Sequence, residues 1–419
     1  MNCSQYLTCC GRAQDDVYAI VGNGQAALDQ FDFLFGLGDP LDQVPLCAKP
    51  THGYSPAMTR TAPMFAALMI LACCTSEGKA EAPLPFNITE KARFDEPWAM
   101  TFLPGSGVSL TAMALITEKA GRLWLVDANT GKKTAVSGAP EVAEGGQGGF
   151  GDVVADPGYA GNQQIWLSWV EAGEGGFGAV VARAKLILGQ DAPRLDGLTI
   201  IWRQDKTSGR GHFGHRLAFA PDGSLFISSG ERQKFTPAQD RSSNLGKMIR
   251  IGPGGSPQSW SNGHRNPLGL AFDGSGQLWS SEMGPQGGDE LNRVRQGANY
   301  GYPIASNGSH YGGRDIPDHK TSDGFEPPKI WWNPSISPAS LMIYSGSLFP
   351  KWQGDAFIGA LSGQALIRID LDGDKASKAD QWDMGERIRE VEQGPDGAIW
   401  LLEDGGNARL LKLTPLDAK

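Results

Sequence analysis

The sequence predicts an all-β protein, a six-bladed β-propeller with four-stranded antiparallel blades. Three observations carry this expectation. Gly (57) and Pro (27) make up a fifth of the 419 residues, which suits a fold of many turns and argues against a helical bundle. A turn rich in Gly, Asp or Asn, followed by an aliphatic–aromatic pair and a short apolar run, recurs six times. Several copies follow a strand that ends in a tight turn, as in HRLAFAPDG, LGLAFDGSG and REVEQGPDG, which is a hairpin signal.

In chain order the copies are Gly121-Arg-Leu-Trp-Leu-Val, Asn162-Gln-Gln-Ile-Trp-Leu, Asp222-Gly-Ser-Leu-Phe-Ile, Ser275-Gly-Gln-Leu-Trp-Ser, Gly354-Asp-Ala-Phe-Ile-Gly and Asp396-Gly-Ala-Ile-Trp-Leu. Their aromatic positions are 124, 166, 226, 279, 357 and 400. Repeats of roughly 40 residues or more with β character read as blades of about four strands each. Radial closure leaves no long strand edge exposed. The longer gaps, such as that between 279 and 357, become loops on one face where a site can be built. An irregular β-sandwich competes, and six similar copies weigh against it.

The first 88 residues stand outside the pattern. Residues 1–57 have no clear periodicity and carry four of the six cysteines, Cys3, Cys9, Cys10 and Cys47. They are expected to be a non-native extension that begins at a start codon too far upstream. From Met58 the chain reads MTRTAPMFAALMILACCTSEGKAEA. Arg60, an apolar run too short to span a bilayer, and Ile70-Leu71-Ala72-Cys73, which resembles a bacterial lipobox, read as an export signal over 58–72. A buried apolar helix is the competing reading. Residues 73–88 are then a linker and 89–416 the propeller. The expected location is the periplasm or cell envelope, with membrane contact only through a lipid anchor at Cys73. No cysteine follows Cys74, so the bulk of the chain has neither a disulfide nor a thiolate metal site. A net charge of −9 with no basic run does not suit a nucleic-acid binder.

Five polar clusters could carry chemistry. Gly145-Gly-Gln147-Gly-Gly lets backbone approach a ligand, with Gln147 as donor and acceptor; a plain surface turn competes. Gly211-His212-Phe-Gly-His215 puts an imidazole just before a strand, either a general base or a structural histidine. His264-Arg265-Asn266-Pro267 offers a guanidinium that can fork onto a carboxylate or polarise an oxygen, or merely satisfy nearby carbonyls. Glu282-Met-Gly284-Pro285-Gln-Gly-Gly-Asp289-Glu290, followed by Asn299-Tyr300-Gly-Tyr302, is rich in the oxygen ligands that hard Ca2+ requires, without the EF-hand spacing. Arg387-Ile-Arg389 puts two guanidinium groups on one strand face, for a polyanion or for solvent. No glycine-rich dinucleotide fingerprint, Walker loop, nucleophile elbow or His-Glu-x-x-His is present.

Taken in order, these segments resemble the soluble aldose sugar dehydrogenases that depend on pyrroloquinoline quinone (PQQ), the glucose/sorbosone dehydrogenase family. The resemblance runs from about Phe94 to Leu413, and its most specific blocks are GHRNPLGLAF, EMGPQGGDELN with NYGYP, and RIREV. It implies a six-bladed propeller with PQQ on the loop face and His212 as general base, although His215 stands where small residues are usual. It implies cofactor contacts at Gln147, Arg265, Asn266, Tyr311, Ser335, Arg387 and Arg389. Gly284 and Pro285 match carbonyl donors to the Ca2+ that also binds the quinone. Glu290 and Tyr300, the latter through its backbone oxygen, match a second Ca2+ site. Ser362 stands where several members have a cofactor-contacting Lys. The implied reaction oxidises the C1 hydroxyl of an aldose to a lactone. His212 would take the hydroxyl proton, hydride would pass to the quinone, and Arg265 would stabilise the developing oxyanion. The electron acceptor that follows is not specified. A Ca2+-dependent propeller lactonase, and a non-catalytic envelope binding propeller, are the alternatives.

Overall fold

The computed structural model describes residues 83–105, 112–189 and 192–416. The expected extension, the signal segment and Cys73 lie outside the described residues.

Six four-stranded antiparallel sheets form the six blades of a β-propeller. Blade one is Pro97–Phe102, Met113–Glu118, Arg122–Asp127 and Lys133–Val136. Blade two is Phe150–Ala155, Gln164–Gly173, Gly176–Ile187 and Arg194–Arg203. Blade three is Gly214–Phe219, Leu225–Ser229, Lys247–Ile251 and Gln258–Asn262. Blade four is Pro267–Phe272, Leu278–Glu282, Asp289–Val294 and Ile330–Trp332. Blade five is Met342–Ile343, Ala356–Ala360, Ala365–Asp372 and Lys375–Asp383. In each, sheet order follows chain order, and the first strand is innermost.

Blade six differs. Ile388–Gln393, Ile399–Glu403 and Ala408–Pro415 supply three strands, and Phe86–Phe94 from the start of the ring supplies the outermost. This strand begins inside the segment expected as linker. It carries no copy of the repeat, so periodicity could not find it. Pairing first strand to last closes the ring without an open edge.

One apolar cluster fills each of the six blade interfaces. The recurrent aromatics are the plugs. Trp166 packs on blade three, Phe226 on blade four, Trp279 on blade five, Phe357 on blade six and Trp400 on blade one. All five lie on second strands. The first copy is the exception: Trp124 lies on the third strand of its blade, and the second strand, MALITE, has no aromatic. The motif therefore marks an interface-facing strand rather than a fixed blade position.

At the axis, the Arg216 guanidinium touches every blade. Its Nε donates to Leu268 O (2.7 Å) of blade four and its Nη2 to Ala339 O (2.7 Å), where the chain enters blade five. Its Nη1 bonds the carboxylates of Glu390 in blade six and Asp152 in blade two. Its Cζ lies over the Trp98 ring of blade one, 4.1 Å from the ring centroid, and Arg216 itself belongs to blade three.

His215 beside it is also structural. Its ring stacks on Trp98 (4.9 Å, 14°) and its Nδ1 bonds Ser168 Oγ (2.8 Å). Gly151 makes the room, because a Cβ there would lie 1.9 Å from the imidazole Cε1. Burial, helped by Arg216, lowers the His215 pKa to about 3, so this ring stays neutral.

Among the described residues no helix is long and apolar enough to cross a membrane.

Removing the axial cation strands two buried carboxylates. Arg216→Met should cost about 3–5 kcal/mol of unfolding free energy by denaturant titration. Adding Glu390→Gln to that variant should recover part of the loss. A cost below about 1 kcal/mol, the size of a surface pair, would contradict the axial role.

Candidate active site

Antiparallel pairing puts the start of each first strand beside the end of the second, as in Gly214 opposite Ser229 and Pro267 opposite Glu282. The loops before first strands and after second strands therefore share one end of the ring. Gln147, His212, Arg265, Asn266, Gly284, Pro285, Ser335, Arg387 and Arg389 lie in these loops or at the adjoining strand starts. Tyr311 arrives by another route. The connection 295–329 leaves blade four from the other end, then climbs, and Gly308–Ser309 pairs with Gln286–Gly287. That excursion is the long gap between aromatics 279 and 357.

His212 is buried, with 8% of its side chain exposed, and its φ is 50°. Its N–H donates to Gln147 Oε1 (2.7 Å). Its Nδ1 lies 2.5 Å from Glu231 Oε1. Arg232 pins the loop beneath it by donating to the carbonyls of Gly211 (2.9 Å), Gly209 (2.6 Å) and Phe177 (2.7 Å). Burial would raise the Glu231 pKa. The His212 bond and the Phe235 N–H (2.6 Å) outweigh it, so the carboxylate is ionised. His212 Nδ1 is therefore the protonated nitrogen and Nε2 carries the lone pair. Burial first, and the Arg265 charge second, hold the imidazole below the ordinary histidine pKa, against the pull of Glu231. This is a neutral, oriented imidazole.

Glu231 also ties this imidazole to Arg265, since its N–H donates to Arg265 O (2.8 Å). The Arg265 guanidinium donates to Met283 O (3.0 Å), Gly284 O and Tyr311 Oη (3.0 Å). Below it, Glu282 accepts from the Arg265 N–H and from His264 Nδ1 (3.0 Å). Arg265, Gly284, Pro285 and Glu290 line one pocket with Glu282, Gly288, Tyr302, Ala305 and Ser306. Asp289 holds its floor by accepting from Gly284 N–H (2.8 Å) and from the Ile336 and Ser337 N–H groups (2.7 Å each). Ser335 Oγ accepts from Gly287 N–H (3.1 Å).

Tyr300, Arg387 and Arg389 are not among the residues that line this pocket. The Tyr300 ring stacks on His264 (4.5 Å), and its hydroxyl donates to Arg293 O (2.6 Å). Arg387 and Arg389 share Asp404, at 2.9 and 2.7 Å. Ser362 Oγ bonds Ser337 Oγ (2.8 Å) rather than offering a charge.

The donor set tests the expected ligands. Among the described residues no group of three or more His, Cys, Asp or Glu could hold a metal. Gly284, Pro285 and Glu290 line the pocket and carry hard oxygens of the kind Ca2+ takes, with Gly284 O bonded to Arg265 in this structure. Arg265 Nε and Asn266 Oδ1 are buried without a hydrogen-bond partner, as expected of groups that face a polar ligand.

Glu231 was missed in the sequence. A signal existed: an acid ends the second strand of three blades, at Glu118, Glu282 and Glu403, and Glu231 follows that of blade three by two residues.

An NMR titration of the histidine Cε1–H resonances should place the His212 midpoint below 6.5, with Glu231→Gln lowering it further. His215 should stay neutral down to about 3. A His212 midpoint above 6.5 would contradict the burial argument.

Comparison with known proteins fits this geometry. The Glucose / Sorbosone dehydrogenase family profile matches residues 94–412. The aldose sugar dehydrogenase YliI of Escherichia coli (strain K12) is 36% identical over 363 residues, 82% of this chain and 96% of that one. The crystal structure of the soluble aldose sugar dehydrogenase from Escherichia coli in the apo form superposes with a TM-score of 0.74 at 36% identity, covering 79% of this chain and all of that one. The PQQ-bound aldose sugar dehydrogenase of Streptomyces coelicolor gives 0.65 at 26% identity, covering 80% and 99%. The chain belongs to the glucose/sorbosone dehydrogenase family of oxidoreductases.

Proposed function

We propose that the protein oxidises the anomeric C1 hydroxyl of aldose sugars to lactones, with PQQ as electron acceptor and Ca2+ beside it. The observation that carries this reading is the neutral His212 imidazole, oriented by the ionised Glu231 and joined through backbone to Arg265. The PQQ-bound Streptomyces coelicolor relative supports the choice of cofactor.

Gln147, Arg265, Asn266, Tyr311, Ser335, Arg387 and Arg389 would hold PQQ. Gly284 and Pro285 would bind Ca2+ through their carbonyls, and Glu290 with the Tyr300 carbonyl a second ion. When bound, PQQ supplies a two-electron acceptor for the C1 hydride, and Ca2+ polarises it.

The chain's own contribution is a proton acceptor and a fixed charge. His212 Nε2 takes the C1 hydroxyl proton, and Glu231 stabilises the imidazolium that results. Arg265, locked by Met283, Gly284 and Tyr311, presents positive charge where negative charge develops, at no reorganisation cost. The rim segment from Ser306 to Pro328 would read the sugar. The segment at 58–72 supports export to the periplasm or envelope, with Cys73 as a possible lipid attachment site.

Reconstitution with PQQ and Ca2+ should give aldose-dependent dye reduction that chelation abolishes. His212→Ala should lose about 10²–10⁴ in kcat while binding PQQ as well as wild type. Full turnover by His212→Ala would overturn the assignment of the base. No PQQ uptake by the wild-type chain would overturn the cofactor.

A further inference from the structure

A second polar cluster lies on the same end of the ring, between blades one and six, and the chemistry above uses only part of it. Lys119 follows the second strand of blade one. Its N–H donates to Glu96 O (3.0 Å), and the Glu96 N–H donates to Gly405 O (2.9 Å). Next to Gly405, the Asp404 N–H donates to Arg387 O (2.8 Å). Backbone bonds thus connect Lys119 to the arginine pair. On its other side, Lys119 O accepts the Phe150 N–H (2.9 Å), and a Cβ on Gly149 would lie 2.4 Å from that oxygen. Phe150 is three residues past Gln147, which holds His212. Lys119 therefore bridges the base and the Arg387–Arg389 pair.

Lys119, Arg387 and Arg389 are three cations around Asp404, which both arginines engage. Among the described residues the one ion-pair contact of Lys119 Nζ is Glu96, 46% exposed and 3.9 Å away. Only 17% of the Lys119 side chain is exposed, and among the described residues its Nζ makes no hydrogen bond. Burial first, and Arg389 second, hold its pKa below the ordinary lysine value, against the pull of Asp404 and Glu96. A largely buried ammonium beside guanidinium groups costs free energy unless a further anion meets it.

We propose that Lys119 is a third cation, with Arg387 and Arg389, of a cradle for the carboxylates of the cofactor. The inference rests on the PQQ reading and adds a residue to it. PQQ is a tricarboxylic acid, and a carboxylate complements a largely buried ammonium whose one ion-pair contact among the described residues is long. A lysine with three donors on a flexible stem can turn from the weak Glu96 contact to a carboxylate.

The test is equilibrium binding by the cofactor-free full chain in Ca2+ buffer, read by tryptophan fluorescence without any substrate. Lys119→Met and Lys119→Gln should bind PQQ about 10- to 100-fold more weakly, the range of a lost charge-assisted contact. Lys119→Arg should recover most of the affinity. For PQQ trimethyl ester, which lacks the carboxylate charges, wild type and Lys119→Met should bind alike. Wild type that binds PQQ, with both neutral variants binding as tightly, overturns the role of Lys119 alone. Equal weakening toward PQQ and its ester marks a packing role and also overturns it. Wild type that binds no PQQ overturns the cofactor reading and this inference together.

Discussion

A single guanidinium organises the centre of this protein. Arg216 hydrogen-bonds four blades, lies over an aromatic ring of a fifth and belongs to the sixth. Blade interfaces filled by apolar side chains hold neighbours together, but they are non-directional and would tolerate small rotations. The fork geometry of an arginine does not, because each of its bonds fixes a direction. Asp152 adds to this by accepting from the Leu217 N–H (2.7 Å) as well as from Arg216, so backbone and side chain are set together. The loops that carry His212 and Arg265 spring from strands anchored on this web. Their separation is therefore a property of the whole ring.

The fold was legible because a propeller repeats. Five of the six blades set an aromatic of the second strand in the wedge against the next, and five of the six copies mark that position. The copy at Trp124 sits one strand later, since the second strand of its blade presents Leu115 and Ile116 instead. The closing strand Phe86–Phe94 was invisible for a different reason. It answers to a partner more than three hundred residues away, and no local spacing records that.

The site was legible where chemistry is written in short segments. The His212, Arg265 and Gly284–Pro285 loops each sit within a few residues of a strand start or end, so order along the chain fixed their common face. Glu231 was not, because a lone acid after a strand looks like any solvated carboxylate until folding buries it against an imidazole. Lys119 was hidden likewise, since its neighbours come from both ends of the ring. His215 was the reverse case. It stands where small residues are usual in the family, and Trp98, Ser168 and the space left by Gly151 make it a packing residue.

The closure of blade six sets an order on biogenesis. The strand Phe86–Phe94 is among the first of the ring to be synthesised, and its partner Ala408–Pro415 is the last. Until the C-terminus is released, the early strand has no ladder to join and its hydrogen-bonding edge stays open. A chain exported while still unfolded would meet this problem only once, after translocation, where both ends are present together. The ring thus acts as a completeness check on its own polypeptide, because a prematurely ended chain leaves the first strand unpaired.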